Sequence, residues 1–415
     1  MDSRLVSIAD RFPTPLFVYF MDEVEKRIDT LRESFEGLFG ISYAMKCNPN
    51  SAILQWMRSR VDTLDVSSGG ELIRGVNAGW DPTSISFTGP AKRQIDLQLS
   101  IEHGIGEVVL ESVNEARALN QIAQVAGRKQ QVLIRVAPER VPKGFGVNMA
   151  GKPCQFGIDE EVLDSAVDLI RKMDNLDIVG FHIYSGTQCL VPAAIFENYE
   201  IFLDIFERAC ETHDIVPSKL VFGSGLGIPY HDGNESIRVE EIADAILPRL
   251  YRIKGSPRFE NTTLLLETGR YLIGEAGYYL TQVVNRKESR GSHICICDGG
   301  MNHHLGACGH LGMVLHRPYR ISKVRSEHSS APVEKFDLFG PLCTSIDHLG
   351  RNVEFDGLDV GDVIAVACSG AYGATASPVN FISHDHPTEI MVQLENGQEV
   401  ERDITHREPL TGKEV

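Results

Sequence analysis

Residues 20–46 read FMDEVEKRIDTLRESFEGLFGISYAMK. Phe20, Val24, Ile28, Leu31 and Phe35 recur at helical spacing, Gly37 and Gly40 interrupt them, and the apolar run Ile41–Ala44 follows. This predicts a helix feeding a strand, with Lys46 just past the strand's end. The alternation then repeats, with apolar or β-branched runs near 63–66, 84–88, 107–111, 130–136, 177–183, 219–223 and 262–267. Helical patterning fills segments between them, for example 91–103, 113–126, 160–173 and 193–213. Strands that alternate with helices pair in parallel through right-handed crossovers, and eight such units over about 250 residues make a (β/α)8 barrel. The expected fold class is therefore α/β, a TIM barrel over residues 20–275. After about residue 276 the texture changes to Tyr279–Val284, His293–Cys297 and Val363–Ala367, separated by turns with Gly and Pro. That predicts a mainly β domain over 276–415, joined by residues 1–19. The charged tail beyond Gly397 reads as solvated and carries no motif.

Of the 415 residues, 42% are hydrophobic and 23% charged, and the formal net charge is −17. An excess of negative charge argues against a nucleic-acid footprint and against an anionic membrane surface, and would suit a cationic substrate. No run approaches the roughly 18 to 20 apolar residues of a membrane span, and the start, MDSRLVSIADRF, lacks a signal-peptide layout, so the cytoplasm is expected. Nine cysteines without a CxxC pair read as reduced thiols rather than a disulfide framework.

Barrel chemistry gathers at the C-terminal ends of the strands. There the first run leads into Lys46, the fifth contains Arg135, the sixth runs into His182-Ile183-Tyr184-Ser185-Gly186, the seventh opens into Gly223-Ser224-Gly225-Leu226-Gly227, and the eighth ends Glu267-Thr268-Gly269-Arg270-Tyr271. A lysine beside an apolar strand often snorkels to the surface, but a buried one loses its proton readily and forms Schiff bases. A glycine-rich turn is often only a tight turn, yet at a barrel rim its free N–H groups cradle a phosphate. Lysine and phosphate cradle together are what pyridoxal 5'-phosphate (PLP) requires, and a carboxylate such as Glu267 at the pyridine nitrogen makes that ring a strong electron sink.

With these features the chain resembles the fold-type III PLP decarboxylases, the family of ornithine, arginine and diaminopimelate decarboxylases. Tyr43-Ala44-Met45-Lys46-Cys47-Asn48 resembles the family's Y-A-x-K-x-N, Asp65 and Glu71 match its D-x-x-S-x-x-E, and the His182 segment is similar to H-x-G-S. The resemblance implies that His182 stacks on the cofactor ring, that Gly223, Ser224, Gly225, Arg270 and Tyr372 hold the phosphate with Ser185 close by, and that Glu267 holds the pyridine nitrogen. Asp65, Arg135 and Gly269 complete the implied cofactor set. Gly340-Pro341-Leu342-Cys343 resembles G-P-x-C, whose cysteine reaches the partner subunit's cofactor, and Ser369-Gly370-Ala371-Tyr372-Gly373 resembles G-A-Y. A homodimer with shared active sites is thereby implied, with Lys46, His182, Glu267 and Cys343 in catalytic roles and Cys343 giving a proton to Cα.

Two departures bear on this reading. Ser224 replaces a usual glycine, which is tolerated if its φ is negative. Diaminopimelate decarboxylases show Cys-Glu-Ser and an arginine shortly after D-x-G-M, where this chain has Cys343-Thr344-Ser345 and Asp298-Gly299-Gly300-Met301-Asn302-His303-His304. Those stretches and Gln155-Phe156-Gly157 look more like the subgroup of the butirosin-pathway glutamyl-carrier-protein decarboxylase and the exosortase-associated decarboxylases. A modified or carrier-conjugated amino acid is the expected substrate; free diaminopimelate, ornithine or lysine is the alternative. Asp347, His303 and His304 are candidates for the substrate pocket, Asp347 being equally readable as a turn residue or cap. His303, His304, Cys308 and His310 match no usual zinc spacing, so no metal is expected. An alanine-racemase-like activity is disfavoured by Glu267 where racemases place an arginine, and an inactive homologue by the retention of Lys46, His182, Glu267, Arg270 and Cys343.

Overall fold

The computed structural model describes residues 3–310, 317–324 and 332–405. It divides into two compact units, one comprising Lys26–Ile228 and Glu235–Tyr271, the other Met1–Glu25, Pro229–Asn234 and Leu272–Val415.

In the first unit all eight expected runs are strands: Phe39–Ala44, Thr63–Val66, Ile85–Phe87, Glu107–Leu110, Gln130–Ala137, Leu176–Ile183, Lys219–Gly223 and Thr263–Thr268. Each pairs in parallel with the next. The eighth pairs with the first through Leu264↔Phe39 to Thr268↔Tyr43, which closes the barrel. Buried Val109, Leu133, Val179, Val221 and Leu265 pack into one cluster. Where the fourth and seventh strands begin, Lys219 Nζ meets the buried Glu107 at 2.6 Å. This interior pair lies opposite the catalytic rim, where barrels keep stability rather than chemistry. The helix Pro192–Thr212 buries Ile195, Asn198, Tyr199, Phe202 and Phe206. Its rings Tyr199, Phe202 and Phe206 pack around Phe222, with centroids 5.2–6.0 Å from it.

The second unit is sheet-rich. Leu16–Phe20 lies between Gly277–Ser289, antiparallel, and Thr388–Glu395, parallel. The alternate residues Leu16, Val18 and Phe20 turn to a core shared with Leu5, Ile8, Leu280 and Ile390. The excursion Pro229–Asn234 belongs to this unit: the Tyr230 ring lies tilted against Tyr319 with centroids 4.5 Å apart, and its carbonyl accepts the Arg320 amide at 3.0 Å. The tail is largely exposed, as expected, and also pairs. Gln398–Asp403 forms a strand antiparallel to Thr388–Glu395, because the turn at Asn396 and Gly397, both with positive φ, folds it back on its neighbour. Residues 406–415 of that tail lie outside the described residues. All nine cysteines are free thiols. Among the described residues no helix is long and apolar enough to cross a membrane.

Candidate active site

Lys46 sits in the single 3-10 turn Met45–Cys47 that leaves the first barrel strand. Its Nζ lies 3.1 Å from Asp65 Oδ2, at the end of the second strand, and 3.3 Å from Glu267 Oε1, at the end of the eighth. Both carboxylates are buried, whereas the lysine side chain is 36% exposed. The cation is therefore the accessible member of the group. The other Glu267 oxygen, Oε2, accepts His182 Nε2–H at 2.9 Å, and Thr88 donates to Asp65 Oδ1 at 2.6 Å.

Two carboxylates facing one ammonium cannot both shed their protons cheaply in a low-dielectric site. Burial first, then the negative charge of Glu267, pushes Asp65 up to about 7 against the pull of Lys46. Burial opposes ionisation of Glu267 too, but Lys46, the His182 hydrogen bond and Arg135 outweigh it and hold that carboxyl well below its usual range. Glu267 is the anion, and Asp65 is poised near neutrality. Burial pushes His182 down, so its imidazole is neutral, and its Nδ1 is buried without a hydrogen-bond partner.

Around this centre the other rim residues are fixed in place. Arg135, on the fifth strand, pairs with the buried Glu111 at 2.8 Å and lies over the Phe156 ring at 4.7 Å. Glu111 also accepts the Gly89 and Gly157 amides, at 3.0 and 2.6 Å. In the sequence Glu111 ends the apolar run 107–111, and the rule that singles out Arg135 and Glu267, a charge toward the end of a barrel strand, applies to it equally. Glu71 caps the helix Gly69–Asn77 by accepting Ser67 N–H at 2.7 Å, while its own amide bonds the N-cap Ser68. Ser185 is buried and donates to Asn198 Oδ1 at 2.7 Å. In the turn after the seventh strand, the Ser224 carbonyl accepts Tyr199 O–H at 2.9 Å and the Gly225 carbonyl accepts Cys189 N–H at 3.0 Å. Gly225 has φ +69°, a left-handed conformation that glycine adopts without steric cost, and a side chain at Gly223 would run into the Tyr184 ring. Ser224 stays out of the left-handed region, as a residue with a Cβ prefers. Gly269 is buried, and Arg270 heads the short helix Arg270–Ile273.

The remaining candidates belong to the second unit. Cys343 is exposed, and Tyr372 is half-buried with φ +56°. A non-glycine residue in that region is uncommon and is often held there for function. Asp347 is buried, and each oxygen takes a backbone amide, Met301 N–H at 2.7 Å and Leu342 N–H at 2.8 Å. His303 donates from Nε2 to the Asp385 carbonyl at 2.9 Å and accepts Tyr279 O–H at 3.2 Å; His304 donates from Nε2 to Ser369 Oγ at 3.0 Å. Burial pushes these histidines down to about 4 and about 3.

An exposed amine over paired buried carboxylates, at the strand ends of an α/β barrel, defines an enzyme that works through its lysine. The family described as pyridoxal-dependent decarboxylase, pyridoxal binding domain, matches residues 21–274. The chain is 32% identical over 390 residues to L-glutamyl-[BtrI acyl-carrier protein] decarboxylase of Niallia circulans, covering 94% of this chain and 91% of that protein. It is 27% identical to 2-[(L-alanin-3-ylcarbamoyl)methyl]-2-hydroxybutanedioate decarboxylase of Staphylococcus aureus, over 91% and 94% of the two. The crystal structure of diaminopimelate decarboxylase from Methanocaldococcus jannaschii superposes with a TM-score of 0.86 at 26% identity, over 97% of this chain and 92% of that one. This chain belongs to the pyridoxal-dependent decarboxylase family.

The residues present fit that cofactor. Lys46 would offer an accessible amine to its aldehyde, Glu267 an anion to its pyridine nitrogen, the neutral His182 a flat face, and the 223–225 turn a compact backbone for its phosphate.

Proposed function

We propose that this chain removes the α-carboxylate of an amino acid whose far end is modified or joined to a carrier. The observation that carries the reaction type is the Glu267 anion, buried between Lys46 and His182. Bound pyridoxal phosphate supplies an acceptor for the electron pair left at Cα when carbon dioxide departs. Lys46 would hold the cofactor through its amine, the accessible group of the site. Glu267 would keep the pyridine nitrogen protonated, and His182, Asp65 and Arg135 would support the ring. The 223–225 turn, Ser185, Gly269, Arg270 and Tyr372 secure the phosphate end. Cys343, exposed on its unit, gives the proton to Cα in the site of a second copy, which makes a homodimer the working form. Nine free thiols suit the reducing cytoplasm.

The conjugated substrate is supported by the Niallia circulans and Staphylococcus aureus relatives, whose names specify modified or carrier-bound substrates. It is supported as well by the stretch after Asp298-Gly299-Gly300-Met301. Residues 302–316 contain no arginine to grip a distal carboxylate, and His303 and His304 are occupied within their own unit. Free diaminopimelate, ornithine or lysine is the second reading, favoured by the likeness to diaminopimelate decarboxylases. The test is carbon dioxide release by the cofactor-loaded protein from ornithine, lysine, arginine, glutamate and both configurations of diaminopimelate, with Lys46→Ala as blank. We expect no release above the blank from free amino acids and release from glutamyl or similar conjugates, because the remote group contributes transition-state binding. Fast release from one free amino acid overturns the conjugate reading.

A further inference from the structure

The helix Pro192–Thr212 presents two consecutive side chains to two neighbouring strand ends. Tyr199 O–H holds the Ser224 carbonyl, and Asn198 Oδ1 accepts the Ser185 hydroxyl. Asn198 is 1% exposed, and its Nδ2 has no hydrogen-bond partner. A buried amide donor left unsatisfied is costly, and such a group calls for an explanation. A Ser185 hydroxyl that donates to Asn198 is likewise unable to donate elsewhere. One rearrangement frees the hydroxyl and pairs the donor, leaving in its place a carbonyl oxygen, which tolerates an open lone pair better than an N–H tolerates an open proton. If an anion accepts the Ser185 proton, Asn198 turns its carboxamide by half a revolution and donates Nδ2–H to the Ser185 oxygen.

We propose that Asn198 is a positioning residue for the cofactor phosphate, acting through Ser185 as a two-step donor relay that is incomplete until the anion arrives. The relay rests on the assignment of Ser185 to the phosphate end. It makes phosphate binding pair the Asn198 Nδ2 donor, and so couples affinity to a residue that need not touch the cofactor.

The test is the dissociation constant of the full-length protein for pyridoxal 5'-phosphate and for pyridoxal, read by absorbance titration, with the melting temperature of the cofactor-free protein as control. Asn198→Asp, measured at a pH where the new carboxyl is ionised, only accepts and holds the Ser185 proton away from the anion. It should weaken pyridoxal phosphate by roughly tenfold to a hundredfold, the scale of one hydrogen bond to a charged group, while leaving pyridoxal within about twofold. Asn198→Ala should weaken pyridoxal phosphate less and move the phosphorus NMR shift of the bound cofactor. Combined with Ser185→Ala, it should add nothing, as members of one relay do. Equal weakening for both ligands, or full additivity of the two alanine variants, overturns the relay. If Ser185→Ala binds pyridoxal phosphate as tightly as the parent, the assignment of Ser185 falls first. If that variant is weakened and Asn198→Asp is not, the relay alone falls.

Discussion

Two buried polar clusters, one at the barrel mouth and one in the sheet-rich unit, are built from the same residue types and behave oppositely. Asp65, Glu267 and His182 are buried in the first, as Asp347, His303 and His304 are in the second. In the first the bonding is incomplete and charged: two carboxylates share a partly exposed ammonium, and His182 Nδ1 lacks a partner. In the second it closes on itself, with both Asp347 oxygens on amides and both histidines hydrogen-bonded and kept neutral by burial. Burial of polar groups is common to both and marks neither as a site. Unsatisfied bonding capacity together with coupled charge distinguishes the mouth, since a closed network has nothing left to offer a ligand. We therefore read the second cluster as scaffold.

The comparison is sharpened most by removing the accessible amine. Lys46→Ala should lower carbon dioxide release by about 10³-fold or more, the scale seen when one member of an acting unit is lost. A melting temperature near that of the parent would show that the loss is chemical. Glu267→Gln should come next, at about 10²- to 10³-fold in kcat, the usual effect of deleting one preorganised electrostatic partner. Without the Glu267 charge, the Asp65 carboxyl should titrate below its present value of about 7, which carbon-13 NMR of labelled aspartate would follow. An unchanged Asp65 titration would mean that the two carboxylates are not coupled.

The barrel was legible because periodicity survives folding: each of the eight apolar runs became a strand, and Lys46, His182 and Glu267 lie together because all three leave strand ends on one rim. Asn198 was not legible. It sits three residues after Ile195 and four before Phe202 on a buried helix face, where one amide among apolar residues carries no motif. What could have exposed it was that very position, a polar residue on an apolar stripe. For Asp347 and the two histidines, composition favoured a pocket, but only the fold reveals which backbone amides and carbonyls are there to satisfy them.

Asp347→Ala tests the scaffold side directly. It would leave the Met301 and Leu342 amides buried and unpaired, and at about 1–3 kcal/mol for each such group it should cost on the order of 2–6 kcal/mol of stability by urea unfolding. Asp347→Asn keeps one acceptor and should cost less. If Asp347→Ala melts like the parent and instead raises KM for the true substrate, the residue belongs to the pocket and the contrast between the clusters collapses.

The smallest effect concerns pH. His303 and His304 are held at about 4 and about 3, burial being the main cause, whereas an unfolded histidine titrates near 6.5. Between those limits the unfolded chain binds more protons than the folded one, so stability is full above about 6.5 and is lost as the pH falls through that window. Each histidine should steepen that loss by on the order of 1 kcal/mol per pH unit. His304→Asn keeps a polar side chain of similar reach without the titration, and its unfolding free energy measured from pH 7 to pH 5 should fall less steeply than the parent's. Equal slopes would mean that His304 is protonated in the folded state, hence reachable by water, and the second cluster would then be as open as the first.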